Sequence, residues 1–294
     1  MDYKLGALVK PHDPKSDKWA LSRRPIPKVV RLEGDCIIDP QYLVPIGDQG
    51  QMGSCAAVST ERAASMARKI SGGPQIDLHW GWIYYHGRIA GNLIHPDNPN
   101  ENKDTGSYID TNLDILKVGA PSMQTVPYYA DARWIPPEEL ENEPRCDYVL
   151  NYAPVYANEG LEQFWTAFQA NYPVVIGMFW PDQFFGPFSG PGNCVLPSIT
   201  VPPQGVQAHA TYVRGGIRYN DNGTWKWGLI GVNQWSETWT INADAAGKTL
   251  RKGEYIIPEE VAKTMIYQAL AVSYEPFTPD DQPYQPTEQE IKEA

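Results

Sequence analysis

A cysteine at the start of a predicted helix is the first feature of this sequence that could support chemistry. A glycine-punctuated loop over residues 47–54 ends at Cys55, and small or apolar residues then recur at helical spacing as far as Ile70. Such a position places the thiol at the positive end of the helix dipole, beside unpaired backbone amides that favour the reactive thiolate. The alternative is a small buried cysteine that packs like a hydrophobic residue.

Three further residues favour a catalytic role for Cys55 over a purely structural one. Gln49 lies six residues before Cys55, and His209 is the second residue of the extended run Ala-His-Ala-Thr-Tyr-Val. Asn233 ends a second strand-like stretch two residues before Trp235. This order resembles the papain-like cysteine peptidases (C1 family), with their Q-G-x-C-G-S-C-W, H-A and N-S-W segments. The resemblance implies that Gln49, Cys55, His209 and Asn233 are the catalytic residues.

The chemistry of peptide hydrolysis explains this set of residue types. A neighbouring imidazolium keeps the thiol ionised and holds a proton for the leaving amine, which is the expected role of His209. An amide oxygen fixes the tautomer and ring plane of that histidine, the role expected of Asn233. The side-chain amide of Gln49 and the backbone N–H of Cys55 are the expected donors to the oxyanion.

The resemblance also predicts residues that bind the substrate. The segments G-S-Y and L-K-V-G-A-P resemble the family's stretch along the substrate cleft, so Gly106 and Ser107 are expected to line it, although an ordinary helix entry explains them equally well. Ala208, next to the base, and the shielding Trp235 complete the predicted contacts. The Pro- and Gly-rich residues 181–206 are predicted to form a substrate-selecting flap at the cleft rim.

Local patterns predict the elements that bring these residues together. Asp77 is predicted to cap a helix, and Asp221-Asn222-Gly223 signals a hairpin. The hairpin sets the start of one strand beside the end of the next, so His209 and Asn233 are expected to be neighbours although about two dozen residues separate them. The predicted helices are 55–70, 77–91, 109–119 and 161–171. The predicted strands are 172–180, one that begins at His209 and bends at residues 215–216, one over 227–233, and 253–260.

The resulting fold class is α+β, a papain-like two-lobed fold with the active site in the cleft between a helical lobe and an antiparallel β-rich lobe. The predicted organisation is an extended N-terminal arm, a mainly helical lobe, a β-rich lobe and a peripheral tail, with bounds 1–40, 41–135, 136–276 and 277–294. The short stretch before Cys55 is similar to the prokaryotic and viral branch of the family, which lacks a long pro-region. Inhibition by the arm is a further hypothesis.

The sequence departs from the family pattern at several positions. Ala56 replaces the tryptophan after the nucleophile, Gln234 replaces the usual serine between Asn233 and Trp235, and Trp239 lies where a Gly-rich turn is usual. Met52 replaces a cysteine that forms a disulfide bond in many secreted relatives. These changes affect the expected shape of the cleft but leave all four reacting positions occupied.

Charge and composition limit the classes of partner that this chain is expected to bind. The formal net charge of −11 argues against nucleic acid, and no stretch approaches the apolar length of a membrane span. The resemblance to the papain-like peptidases implies a polypeptide substrate as the partner. The absence of an apolar leader favours a cytoplasmic location, or a virion-associated one if the chain is viral. No cofactor or metal is expected: His79 and His86 have no suitably spaced third ligand. The cysteines at 36, 146 and 194 are read as structural or incidental.

Two other functional classes stay open. The first is a structural or assembly protein, such as a viral particle component, that keeps the fold with reduced or no activity and is incorporated into a larger assembly. The second is an acyl transferase of the transglutaminase type, which uses the same nucleophile logic. That second class normally orients its histidine with an aspartate, so Asn233 argues against it.

Overall fold

The computed structural model describes residues 4–9, 34–98, 102–123, 131, 133–146, 151–185, 194–221, 223–240 and 250–274. These residues form six α-helices and seven strands. The helices are α1 (Cys55–Ile70), α2 (Trp80–Ala90), α3 (Ile109–Lys117), α4 (Glu138–Glu141), α5 (Glu162–Gln169) and α6 (Glu259–Met265). The strands are β1 (Cys36–Ile37), β2 (Asn151–Pro154), β3 (Val174–Phe179), β4 (Ala208–Asp221), β5 (Thr224–Val232), β6 (Glu254–Pro258) and β7 (Ile266–Ser273).

Helix α1 is the central element, because every residue from Cys55 to Ala67 is buried. Its alanines and serines allow close approach on all sides: α2 and α3 pack on it, and so do β3, β4 and β7. The hydroxyl of Ser59 donates a 2.9 Å hydrogen bond to the carbonyl of Ala210, which ties the helix to β4. The helix therefore lies at the junction of the helical part and the sheet.

Two buried charges on α1 are neutralised locally. The Glu61 carboxylate accepts hydrogen bonds from Arg62, from the Ser65 hydroxyl at 2.9 Å and from the Leu78 amide at 3.1 Å. Arg62 also lies 2.9 Å from Asp77. Because a buried ion without partners is strongly unfavourable, this network allows α1 to be enclosed although it carries both charges.

The strands form one antiparallel sheet in the order β2-β7-β3-β4-β5-β6, with β1 paired to β4. The predicted hairpin joins β4 to β5, and its register sets Tyr212 opposite Val232. The start of β4 therefore lies beside the end of β5. The ladder shifts register between Val213 and Gly216; Gly216 packs closely on α5, since a Cβ there would lie 2.1 Å from the Trp165 ring.

Most predicted elements are observed, but one helix begins later than predicted and several elements were not predicted. Helix α2 begins at Trp80 rather than Asp77, and the capping group is the His79 imidazole, which accepts a 3.1 Å hydrogen bond from the Trp82 amide. The elements that the sequence did not predict are α4, α6, β1, β2 and β7, of which β7 lies between β2 and β3 in the sheet. No helix in the described part of the chain is long and apolar enough to cross a membrane. Most of the predicted arm and all of the tail 277–294 lie outside the described residues.

Candidate active site

Cys55 is the first residue of α1, and the loop before it is held against the end of β5. The Gln49 amide donates to the carbonyl of Gln234 at 2.9 Å, and Asp48 forms an antiparallel bridge with Trp235. The Gln234 side chain adds a second tie, because its Oε1 accepts a 3.1 Å hydrogen bond from the Gly47 amide. These contacts fix the nucleophile loop relative to the strand end that carries Asn233.

His209 and Asn233 meet where the hairpin predicts. The imidazole Nε2 lies 2.7 Å from Asn233 Oδ1, and both side chains are fully buried. The same oxygen accepts a 2.8 Å hydrogen bond from the Gln234 amide. Because this oxygen acts as the acceptor for both groups, Nε2 carries a proton in the neutral imidazole and Nδ1 is left as the basic nitrogen. Among the described residues, Nδ1 has no hydrogen-bond partner.

Aromatic rings enclose the imidazole. Trp235 stacks on His209 with ring centroids 4.5 Å apart, and Trp180 meets it edge-on at 4.7 Å. Phe185 in turn stacks on Trp235 at 5.3 Å. Burial in this apolar cage disfavours the imidazolium and lowers the pKa of His209 to about 4, although the bond to Asn233 acts in the opposite direction.

The thiol of Cys55 is fully buried as well. Burial raises its pKa to about 11, and the backbone amides of Ala210, Gly6 and Ala56 offset only part of that rise. Ala210 follows His209 in β4, so the sulfur adjoins the strand that carries the predicted base. Both shifts favour the uncharged forms of the thiol and the imidazole in this closed site. The physical reason is the exclusion of water.

Residues 4–9, termed here the cleft segment, pass directly over the thiol. Ser107 donates a 2.8 Å hydrogen bond to the carbonyl of Gly6 and accepts one of 3.1 Å from the amide of Leu8. The carbonyl of Ala208 accepts from the amide of Ala7 at 3.3 Å. Three of the predicted substrate-binding residues, Gly106, Ser107 and Ala208, thus line one channel, whereas Trp235 lies against the imidazole.

Gln49 also points into this channel. Its Nε2 donates to the carbonyl of Lys4 at 3.0 Å and to that of Met52 at 2.6 Å. The side-chain amide predicted to hold an oxyanion therefore binds a peptide carbonyl of the cleft segment. A neutral carbonyl is the ground-state counterpart of that oxyanion, so the same donor can serve both.

Asp104 joins the two walls of the channel. Its carboxylate accepts from the Gly53 amide at 2.9 Å (Oδ2) and 3.1 Å (Oδ1), and from the Tyr84 hydroxyl at 2.6 Å. The Tyr84 oxygen accepts in turn from the Gly106 amide at 3.1 Å. This network ties the nucleophile loop to the wall that carries Ser107. No role for the Tyr84 hydroxyl or the Trp180 ring was predicted from the sequence, since both act through contacts with residues far along the chain.

A cavity of about 450 Å³ opens on the His209 side of the cleft segment. Its walls are Leu5, residues 180–183, Phe185 and residues 203–207. These ranges belong largely to the predicted flap, of which residues 186–193 lie outside the described part. The cavity is large enough for several side chains of a peptide.

No metal cluster occurs among the described residues, in which His79 caps α2 and His86 lies 2.8 Å from Glu141. The four cysteines all lie in described segments and form no disulfide bond. Met52, at the position of the family's extra cysteine, is buried in the core.

No protein-family model and no curated protein matches this sequence. Among solved structures, xylellain, a cysteine protease from Xylella fastidiosa, aligns with a TM-score of 0.66 and 18% identity over 92% of this chain and 96% of its own. Procathepsin B S9 from Trypanosoma congolense gives 0.62 and 16% over 93% and 87% of the two chains. Bromelain from Ananas comosus gives 0.57 and 16% over 83% and 100%.

These neighbours come from a bacterium, a trypanosome and a plant. They support a prokaryotic branch only loosely and give no support to a viral origin. The similarity extends over most of each chain, and it covers both the helices and the antiparallel sheet. This chain therefore has the α+β fold of the papain-like cysteine proteases.

Proposed function

We propose that this protein is a cysteine-type endopeptidase that hydrolyses peptide bonds through Cys55, His209 and Asn233, with Gln49 in the oxyanion hole. The observation that carries the proposal is the buried 2.7 Å hydrogen bond between His209 Nε2 and Asn233 Oδ1, next to a strand residue whose amide acts on the Cys55 thiol. This bond leaves Nδ1 as the only imidazole nitrogen able to accept the thiol proton.

The proposed reaction has two halves. Cys55 transfers its proton to His209 Nδ1 and the sulfur attacks the carbonyl carbon of the scissile peptide, while Gln49 Nε2 and the Cys55 amide stabilise the oxyanion. The C–N bond then breaks, the imidazolium protonates the leaving amine, and a thioester remains on the sulfur. Water, deprotonated by His209, hydrolyses the thioester and regenerates the thiol.

The substrate class that fits best is an extended polypeptide. The amide and carbonyl of Ser107 and the carbonyl of Ala208 are backbone groups, and each binds the backbone of the cleft segment in the closed site. Backbone recognition of this kind accepts many sequences, so selectivity is left to pockets for side chains. The cavity beside Trp180 is the candidate pocket.

The alternative is a structural or assembly protein on the same fold. The observation that favours it is the neutral, fully buried thiol, whose pKa is raised to about 11. In that case Cys55, His209 and Asn233 serve only in packing, and replacing Cys55 changes no activity. The predicted cytoplasmic location stays a prediction under either function.

The deciding experiment is digestion of a peptide library, with new amino termini identified by mass spectrometry. Wild-type protein should release them, and Cys55→Ala and His209→Ala should abolish release. Cys36→Ala is the matched control, since Cys36 is a half-buried cysteine outside the site and should leave cleavage unchanged. Cleavage that persists in Cys55→Ala would contradict the proposal, and detection of amine cross-links without cleavage would favour an acyl transferase.

A further inference from the structure

Asp104 is a carboxylate in the channel wall close to the candidate nucleophile. Both of its oxygens accept from the amide of Gly53, and its Oδ1 also accepts from the Tyr84 hydroxyl at 2.6 Å. Burial is the main cause of the raised pKa of the Cys55 thiol, and the negative charge of Asp104 adds to it. A fixed anion therefore lies near the sulfur that the proposed mechanism uses.

The same carboxylate faces a cation in the channel. Oδ2 of Asp104 lies 3.5 Å from the ammonium of Lys4, and among the described residues Asp104 forms no other ion pair. The Asp104 side chain is only 13% exposed, so water cannot fully replace a cation that leaves. The carboxylate is therefore more stable with a cation in the channel than without one.

Lys4 shows how far this carboxylate lies from the oxyanion donor. Its main-chain carbonyl accepts a 3.0 Å hydrogen bond from Gln49 Nε2 while its ammonium reaches Asp104. Gln49 Nε2 also donates to the Met52 carbonyl, and Asp104 also accepts from the Gly53 amide. Neither of these two contacts involves the cleft segment. The span from donor to carboxylate is therefore a property of the channel walls, and one lysine residue is long enough to bridge it.

A substrate residue occupies the same donor in the proposed reaction. The residue whose carbonyl binds Gln49 Nε2 is the one on the amino-terminal side of the scissile bond. We propose that Asp104 selects a lysine or arginine side chain at that position of the substrate. A neutral side chain leaves the carboxylate without a partner, and an acidic one sets a second negative charge against it. This inference rests on the proposed function, because it assigns a specificity-determining residue to the same site.

The test is kcat/KM for a series of peptides cleaved by the full chain. The peptides differ only at this one position, which carries lysine, arginine, norleucine, glutamine or glutamate. Norleucine matches the unbranched lysine side chain without its charge, so the lysine-to-norleucine ratio isolates the contribution of the ammonium. Because the Lys4 side chain is half-exposed, we expect a moderate ratio of about three to ten, with the glutamate peptide cleaved slowest.

Asp104→Asn removes the charge and keeps a side chain of nearly the same shape. It should reduce the lysine-to-norleucine ratio to about one. A purely structural role of Asp104 would instead lower the rates for all peptides by the same factor and leave the ratio unchanged. Asp114→Asn is the matched control, since this exposed aspartate of α3 pairs with Lys117, and it should keep the wild-type ratio.

The outcomes separate this inference from the proposed function. Cleavage by wild type without a preference for lysine or arginine overturns the inference and still supports the peptidase. A preference that Asp104→Asn leaves unchanged does the same. Absence of cleavage for every peptide in the series overturns both.

Discussion

His209 makes the stability of this protein depend on pH in a direction set by its burial. Its pKa is lowered to about 4 from the 6.5 of an exposed histidine, because the aromatic cage excludes water. Between those two values the unfolded chain binds a proton that the folded chain does not, so the free energy of unfolding falls as the pH falls. The full contribution of this one side chain is about 3 kcal/mol, reached near pH 4.

The variant His209→Gln removes this titration and keeps an amide that can donate to Asn233. Urea unfolding of wild type and variant at pH 7 and pH 4.5 gives the two stability changes, and carboxylates common to both chains cancel in their difference. Wild type should lose about 2.5 kcal/mol more than His209→Gln over this range. His95→Gln, at an exposed histidine, is the control and should keep the wild-type dependence. Equal pH dependence in wild type and His209→Gln would refute the buried neutral imidazole.

Two further predictions concern the groups around His209. Asn233→Ala leaves the buried imidazole N–H without its 2.7 Å partner and should destabilise the fold by about 1–3 kcal/mol in urea unfolding, against no more than about 0.5 for the exposed control Asn98→Ala. Gln234→Ala leaves the buried Gly47 amide without its hydrogen-bond acceptor and should likewise lower the free energy of unfolding by about 1–3 kcal/mol. The control Gln41→Ala, at an exposed glutamine, should be near neutral. Equal effects of the two glutamine variants would contradict the role of the Gln234 side chain in holding the nucleophile loop.

Local signals were sufficient where the structure depends on neighbours in sequence. The Asp221-Asn222-Gly223 turn predicted the hairpin, and the hairpin register alone brings His209 to Asn233. The small-residue pattern and the glycine-rich loop both predicted a helix boundary at Cys55, and helix α1 begins there. These features required no knowledge of distant contacts.

The start of α2 was predicted wrongly because tertiary contacts override the local cap. The Asp77 carboxylate lies 2.9 Å from the Arg62 guanidinium. The main-chain carbonyl of Asp77 accepts a 2.8 Å hydrogen bond from the Met123 amide. Residues 77–79 are thereby held in an extended bridge to residues 121–123. The helix can begin only after this bridge, and His79 provides the cap instead.

The remaining features depend on residues far apart in the sequence. Strand β7 is buried along most of its length, so it lacks the alternation that identifies a half-buried strand, and its partner β2 lies more than a hundred residues earlier. The cleft segment packs at Gly6 against Gly53 and Gly106, which belong to two separate loops. No pattern within residues 4–9 predicts it.

The pH dependence of Cys55 alkylation tests the catalytic set most directly when the cleft segment is displaced. A Cβ at position 6 would lie 1.8 Å from the Gly53 carbonyl oxygen, so the measurement uses Gly6→Ala, alone and combined with His209→Ala. With the channel open to water, labelling should be fast, should persist well below the thiol's ordinary pKa of about 8.5 and should be lost when His209 is replaced. A profile with an ordinary thiol pKa that is the same in both variants would contradict an activated Cys55–His209 pair and, with it, the proposed peptidase.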